Sequence, residues 1–464
     1  MGRSLLIEKS VEDQVLENLY KKANFQIGLL LGQQSEPKDF VTHFIDSPDP
    51  VEEEAATEAD DIGSPRKSKP SKTNKNDELF DVKWVAEHGR QVNRMLIGGI
   101  SVLGMFIYCP TDVASKNQAK FSQCLHSLQM RLEPNKWLKK AYLHSDRYLL
   151  HICSATKKLT CRSIDLLDKQ ATAKPVECKF QSFLSNWHTV ATNIDVHINV
   201  SVPLSSKATE TEKSILAACR YEIDQIWNAY ATENCKLLDD EQLIATNILS
   251  NTKSKSKNKQ DVQIGKCMTF TLFKSPAVKK VEEVVEQEVT YLEVKFFGAI
   301  HAKAALNSKA SYGKAITSLK VDLIRSLLTR VELLCEEADV NNLDQVEEWS
   351  LVSPTRVFVQ VPNSPAYFCD YSFKDESVDD ILSRFSELLN VSTKQSELVY
   401  LERSPDVSEA SMLFHLPEKP SDQQSDIVSE LSNSLLDEQG GKKHIYLLVG
   451  VMVILIAILL NLIL

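Results

Sequence analysis

Apolar residues first fall at helical spacing between Ile7 and Lys22, where Val11, Val15, Leu16 and Leu19 share one face. Two strands are predicted next, in FQIGLLLGQ (from Phe25) and FVTHFIDSP (from Phe40), separated by polar residues. From Leu79 to about Leu96 the period returns to helical. A glycine-bearing strand block covers 97–109, and a helix runs from about Ser115 to Arg131. RYLLHICSATKKLTCRSIDL reads as a hairpin with arms Tyr148–Cys153 and Leu159–Ile164. A strand in DVHINVSVPL and an amphipathic helix from Glu210 to Trp227 follow.

The second half is equally mixed. CMTFTLFK and YLEVKFFGAIHAKAAL predict strands. Lys314 to Ala338 predicts a long helix with Leu319, Leu323, Leu327, Val331 and Leu334 on one face. TRVFVQVPNSPAYFCDYSF predicts a hairpin, and Val378–Leu389 another helix. The fold class expected is α+β.

Three stretches break the pattern. Residues 49–76 carry seven acidic residues from Asp49 to Asp61 and five basic ones from Arg66 to Lys75, and read as a loop that buries no core. Residues 251–261 place Lys253, Lys255, Lys257 and Lys259 among Ser and Asn. Residues 417–443 read as a polar tether, in which Ile427, Leu431 and Leu435 share a face. These breaks set the expected organisation: a first domain over 1–200 containing loop 49–76, a second α+β domain over 201–416 containing loop 251–261, then the tether.

After the tether come Ile445 to Leu464, twenty residues without a charge, fifteen of them Leu, Ile or Val. A helix of ~20 residues covers a hydrocarbon core of ~30 Å. The expectation is a single transmembrane helix over 445–464 acting as a tail anchor. Lys442, Lys443 and His444 flank it and mark the cytosolic side. Met95 to Tyr108 is too short to span and reads as buried strand. The first residues contain no apolar run of signal-peptide length, and Leu6 stands where a myristoylation motif needs Ser or Thr.

Composition narrows the function classes. A net charge of −10 gives no basic field for nucleic acid, and the lysines of 251–261 lack interleaved aromatic residues. The ten cysteines show no C-x-x-C spacing, as expected of reduced thiols rather than a disulfide framework or zinc ribbon. The sequons at Asn199 and Asn390 go unused if the body is cytosolic. No glycine-rich phosphate loop is present, since GGKK at 440–443 follows no strand. His151 and Cys153 sit two apart on one strand face, which reads as core; Glu87-His88 reads as surface.

QIGLLLG (Gln26 to Gly32) paired with GGISVLGMFIYCP (Gly98 to Pro110), preceded by EHGRQVNRMLI, resembles the MPN domain of metal-dependent deubiquitinating proteases. That resemblance implies a glutamate before the first strand run, two histidines on the second strand, and a downstream Ser and Asp. Two imidazoles and a carboxylate hold zinc, and the glutamate takes a proton from zinc-bound water. The corresponding positions here are Gln26, Ile107, Cys109, Asn117 and Lys120, so no catalytic or metal-binding residue, cofactor or zinc chemistry is expected.

IGLLLGQ, WVAEHGRQVNRMLIGGISVLGMFIYC, LHSDRYLLHICSATKKLTCRSID, SLKVDLIRSLLTRVELLCEEA and the apolar C-terminal run together resemble the odorant response abnormal protein 4 family. The resemblance implies a single-pass endoplasmic-reticulum membrane protein with its bulk in the cytosol. It also implies support for folding or delivery of some G-protein-coupled receptors. The implied partner is the ubiquitin-fold-modifier-specific cysteine protease, recruited to the membrane. Two other readings remain open: a divergent cysteine hydrolase, and a chaperone gripping receptor transmembrane helices through 445–464.

Overall fold

The computed structural model describes residues 3–12, 17–21, 25–48, 79–132, 136–138, 145–168, 171–203, 208–245, 267–274, 291–340, 350–361, 364–374 and 376–402. The fold is α+β, and residues Met1–Ser404 cluster as one compact unit. Loops 49–76 and 251–261, the tether 417–443, the flank Lys442, Lys443 and His444, and the apolar run 445–464 lie outside the described residues. Among the described residues no helix is long and apolar enough to cross a membrane.

Seven strands close into a barrel: β1 (Ser4–Glu8), β2 (Gln26–Gln33), β3 (Lys38–Asp46), β4 (Ser101–Cys109), β5 (Asp146–Cys153), β6 (Leu159–Asp165) and β7 (Lys174–Gln181). Their order is β1-β3-β2-β4-β5-β6-β7, with β7 returning parallel to β1 to seal the sheet. β2 reads as a continuous apolar run because both its faces are covered. Leu30 joins Leu5, Ile7, Phe44, Leu103, Phe106, Tyr148 and Leu150 inside the barrel. Ile27, Leu29 and Leu31 face the other way, into a second layer. Helix α1 (Val82–Arg94) and helix α3 (Gln118–Leu132), which follows the short α2 (Thr111–Lys116), supply that layer with Val85, Val92, Phe121, Leu125 and Leu128. Gly104 is required where β4 meets β5, because a Cβ there would stand 2.0 Å from the Tyr148 carbonyl oxygen.

The remaining elements build outward from a long antiparallel pair, β8 (His188–Pro203) and β13 (Tyr291–Leu306), in register from His188↔Leu306 to Pro203↔Tyr291. Helix α4 (Ala208–Asn228) and helix α5 (Tyr312–Val340) cover one face, with Ile215, Ile223, Leu319, Leu323 and Leu327 in the core. A small sheet between them joins β9 (Tyr230–Glu233), β10 (Lys236–Leu237) and β12 (Thr271–Phe273). β11 (Cys267–Thr269) and β14 (Ser350–Val352) flank the long pair. A last sheet pairs β15 (Thr355–Gln360) with β16 (Tyr367–Ser372) and β17 (Leu398–Tyr400), backed by α6 (Val378–Leu389).

Three features differ from the sequence reading. The chain opens with β1 rather than a helix from Ile7, because Leu5 and Ile7 alternate into the barrel; only Lys9–Val11 and Glu17–Lys21 are helical in the described part of that stretch. The helix expected from Ser115 to Arg131 is divided at Asn117, whose backbone N–H closes α2 onto Val113. The boundary expected between 200 and 201 falls within β8. Val357, Phe358, Phe368 and Phe385 from the last sheet and α6 share a core with β2 and β4.

Candidate functional site

The five positions singled out by the protease resemblance are not gathered into one site. Strand alternation separates Gln26 from Ile107 and Cys109. Ile107 packs with the outer layer and Phe106 and Tyr108 with the barrel interior, so Ile107 and Cys109 share the outer face of β4. Gln26 pairs with Tyr108 in register and lies on the opposite face from Ile27, which is in the outer layer. Its Nε2 donates to the carbonyls of Ile27 (3.2 Å) and Ser47 (3.4 Å).

The outer face beside Ile107 is filled with apolar groups. Phe25 stacks on Phe80 with centroids 6.0 Å apart, and Phe80 stacks on Phe121 at 5.5 Å. Lys120 Nζ sits 4.8 Å from the Phe80 centroid, a cation–π contact. Asn117 turns its Nδ2 back to the Val113 carbonyl at 3.0 Å. Ile107 and Cys109 are 1% and 0% exposed. Among the described residues no three His, Cys, Asp or Glu side chains stand together as a metal site.

Chemistry of a different kind gathers at the ends of β4 and β5. Parallel pairing sets Cys109 beside Cys153 and Ile107 beside His151. Cys153 Sγ lies 3.2 Å from Thr111 Oγ1 at the start of α2 and 3.5 Å from the Thr156 backbone N–H. These hydrogen bonds, Thr111's first, pull its thiol down to about 6, whereas burial pushes Cys109 up to about 11. The His151 Nε2 is engaged by the Cys109 carbonyl at 3.0 Å. The turn after β5 exposes Ala155, Thr156, Lys157 and Lys158, and Lys157 reaches back to the Tyr108 hydroxyl at 2.8 Å.

His88, read from sequence as surface, is buried at 3% exposure. Its Nδ1 bonds Ser47 Oγ and its Nε2 the Leu388 carbonyl, both at 3.0 Å, so it ties β3's end to α6. The carbonyl must accept, which fixes the Nε2–H tautomer. Burial lowers this histidine's pKa. Glu87, its neighbour, does face outward and pairs with Arg90.

Two polar clusters carry no signal in the sequence. Gln33, 1% exposed at the end of β2, donates to the Gly99 and Ala305 carbonyls, each at 3.0 Å. Its Oε1 accepts from the Asn307 backbone N–H at 3.0 Å and from Asn307 Nδ2 at 2.8 Å. Gly99 has φ +78°, and a Cβ there would lie 2.2 Å from the Ala305 carbonyl oxygen, so only glycine fits. Further in, Asp322, Arg325 and Arg330 of α5 meet Arg356 of β15 and Glu402. β13, β15 and the segment around Leu96 cover the face of α5 that carries these charges. The Gln33 cluster joins the barrel to β13, and the Asp322 cluster joins α5 to β13, β15 and the segment before β4.

Comparison with known proteins agrees with the sequence motifs. The profile of the family described as odorant response abnormal 4-like matches residues 28–400. A mouse protein, "Protein odr-4 homolog", is 30% identical over 424 residues, spanning 89% of this chain and 88% of its own length. "Odorant response abnormal protein 4" of Caenorhabditis elegans is 19% identical over 324 residues, spanning 68% of this chain and 64% of its own. Among solved structures, "Crystal structure of UfSP from C.elegans" aligns over 90% of this chain at 10% identity and a TM-score of 0.43; this chain spans 61% of that one.

Proposed function

The chain belongs to the odorant response abnormal 4-like family, and we propose on that basis that it is a non-catalytic adaptor of the endoplasmic-reticulum membrane. In this reading the folded body lies in the cytosol and docks the ubiquitin-fold-modifier-specific cysteine protease. Residues 445–464 hold the complex at the membrane, where it supports folding and trafficking of a subset of G-protein-coupled receptors. A tether acts by raising the partner's effective concentration beside membrane clients, with no chemistry of its own.

The observation that carries this reading is the family match over 28–400, combined with the occupants of the protease-like positions. Gln26 cannot accept and return a proton. Ile107 packs in one core with Phe121, Leu125 and Leu128 of α3, beside the Phe25–Phe80–Phe121 stack, and Cys109 is fully buried. An MPN-like body that has lost its metal ligands keeps its surfaces, and surfaces are sufficient for an adaptor.

Depleting the chain from cells tests the tether directly. The modifier-specific protease should leave the membrane fraction and become diffuse, and receptor clients should accumulate in the endoplasmic reticulum. An unchanged membrane distribution of the protease overturns the recruiting role. Exchanging 445–464 for an unrelated tail anchor should preserve function; loss of receptor delivery would favour a chaperone that reads transmembrane helices. The hydrolase reading has the hydrogen-bonded surroundings of the Cys153 sulfur on its side, Thr111 Oγ1 at 3.2 Å and the Thr156 N–H at 3.5 Å. A cysteine hydrolase also needs an imidazole at the thiol, and His151 Nε2 is directed to the Cys109 carbonyl. Turnover of modifier conjugates by the isolated chain, abolished in Cys153→Ser, would establish it.

A further inference from the structure

We propose that Cys109 and Cys153 are a redox-modification site, at which Cys153 reacts with a hydroperoxide and Cys109 then captures it as an intrachain disulfide. The two are register partners at the C-terminal ends of adjacent parallel strands. Paired positions of a sheet stand ~4.8 Å apart with side chains on the same face, within the ~4.4–6.8 Å between Cα atoms that a disulfide spans. The Ser154 N–H bonded to the Cys109 carbonyl at 3.1 Å extends the pairing past its end, and Lys157 N–H to the Cys153 carbonyl at 2.8 Å closes the turn that follows β5.

The two thiols divide the labour. The Cys153 sulfur accepts from the Thr156 N–H at 3.5 Å and has the Thr111 hydroxyl at 3.2 Å, a group that donates once the thiolate forms; both stabilise the thiolate. It is 4% exposed, directly beneath the solvent-exposed turn 155–158, so only a small oxidant reaches it. Cys109 is 0% exposed and its thiol is held protonated by burial, as suits a slower resolving partner. Burial pushes the Cys124 and Cys219 thiols up to about 12, and both pack among apolar core residues.

The chemistry closes without a further co-reactant. The Cys153 thiolate attacks one peroxide oxygen, the O–O bond breaks, and hydroxide (or alkoxide) leaves with the electron pair, giving a sulfenic acid. The Cys109 sulfur then attacks Cys153 sulfur. The S–S bond forms, the S–O bond breaks, and water leaves carrying the Cys109 proton. Two sulfurs are oxidised by one electron each and the peroxide is reduced by two. The product bond clips the ends of β4 and β5 and frees the Thr111 hydroxyl at the start of α2.

The test uses the purified full-length chain titrated with hydrogen peroxide, digested without reductant and read by mass spectrometry. The expected product is one linked peptide pair joining Cys109 to Cys153. Cys109→Ser should stop the reaction at a sulfenic acid on Cys153, trapped by dimedone, and Cys153→Ser should leave Cys109 reduced. Thr111→Val, which keeps the β-branched shape, should slow Cys153 oxidation by about threefold or more while circular dichroism stays unchanged. The proposal is overturned if exposed Cys235 oxidises while Cys153 stays reduced. It is equally overturned if Cys153 oxidises but is never linked to Cys109.

Discussion

Arg356 grips Asp322 with both arms of its guanidinium in the interior: Nη1 donates to Oδ2 at 2.7 Å and Nη2 to Oδ1 at 3.0 Å, with side chains 1% and 0% exposed. The same carboxylate accepts from the Lys303 N–H at 3.0 Å and from Arg325 Nη2 at 3.2 Å. Arg325 Nη2 also reaches the Leu96 carbonyl at 2.7 Å. One aspartate thereby fixes where α5, β13, β15 and the chain before β4 meet.

Removing one partner of a buried pair leaves the other charge uncompensated. Asp322→Ala should cost about 3–5 kcal/mol, read as a fall in the urea midpoint of the purified chain. The double variant Asp322→Leu/Arg356→Met should recover part of that loss, since Arg356 is then no longer stranded and Arg325 keeps the Leu96 carbonyl. If the single and double variants unfold at the same midpoint, the pair is not the tie described.

Gln33 makes a second test of the same seam. Its side chain donates to Gly99 and Ala305 and accepts twice from Asn307, and of these residues Ala305 and Asn307 are buried and Gly99 is half-buried. Gln33→Leu keeps the volume and orphans those groups, and should cost about 2–4 kcal/mol. Gln33→Glu should be no better at neutral pH, because a carboxylate would face the Gly99 and Ala305 carbonyls, and should improve as pH falls. An isosteric change that left the urea midpoint unmoved would contradict the geometry.

Stability should fall in mild acid, for a reason that can be assigned to residues. Burial lowers His43 and His301 to about 4, and lowers His88. Unfolded histidines titrate near ~6.5, so between that value and the folded one the unfolded chain binds more protons. Stability is therefore fully present above about 6.5 and is lost as pH falls towards 4, with a slope of up to ~1.4 kcal/mol per pH unit for each histidine. His88→Gln, whose Nε2 can still donate to the Leu388 carbonyl, should flatten the profile measured by urea unfolding between pH 7 and 5. An unchanged slope would remove His88 from the account.

Much of the fold is legible in the sequence because period and burial agree. The hairpin of β5 and β6, the long α5 and the helix Val378–Leu389 all sit where spacing predicts. What escapes the sequence is whatever depends on a distant partner. β1 is too short to show alternation before the polar residues after it, and it forms because β3 and β7 receive it on both edges. Asp322, Arg325 and Arg330 lie on a face that only β13 and β15 reveal as interior. The protease-like positions were legible as residue types but not as a site. IGLLLG is apolar at every non-glycine position, so the sequence does not show which face Gln26 takes.

That last point has a testable consequence. Restoring the ligand and base types, as Gln26→Glu/Ile107→His/Cys109→His/Lys120→Asp, should not restore a working zinc site. Ile107 and Cys109 share the outer face of β4, while residue 26 projects with Gly28 and Leu30 to the other side of β2. Two imidazoles would also enter a layer already filled by Phe121, Leu125 and Leu128, where larger polar rings are overpacked and left without partners. The expected outcome is a chain destabilised by about 3 kcal/mol or more, with no stoichiometric zinc by elemental analysis. A stable quadruple variant carrying one zinc per chain would mean that the metalloprotease geometry survives intact beneath the substituted side chains.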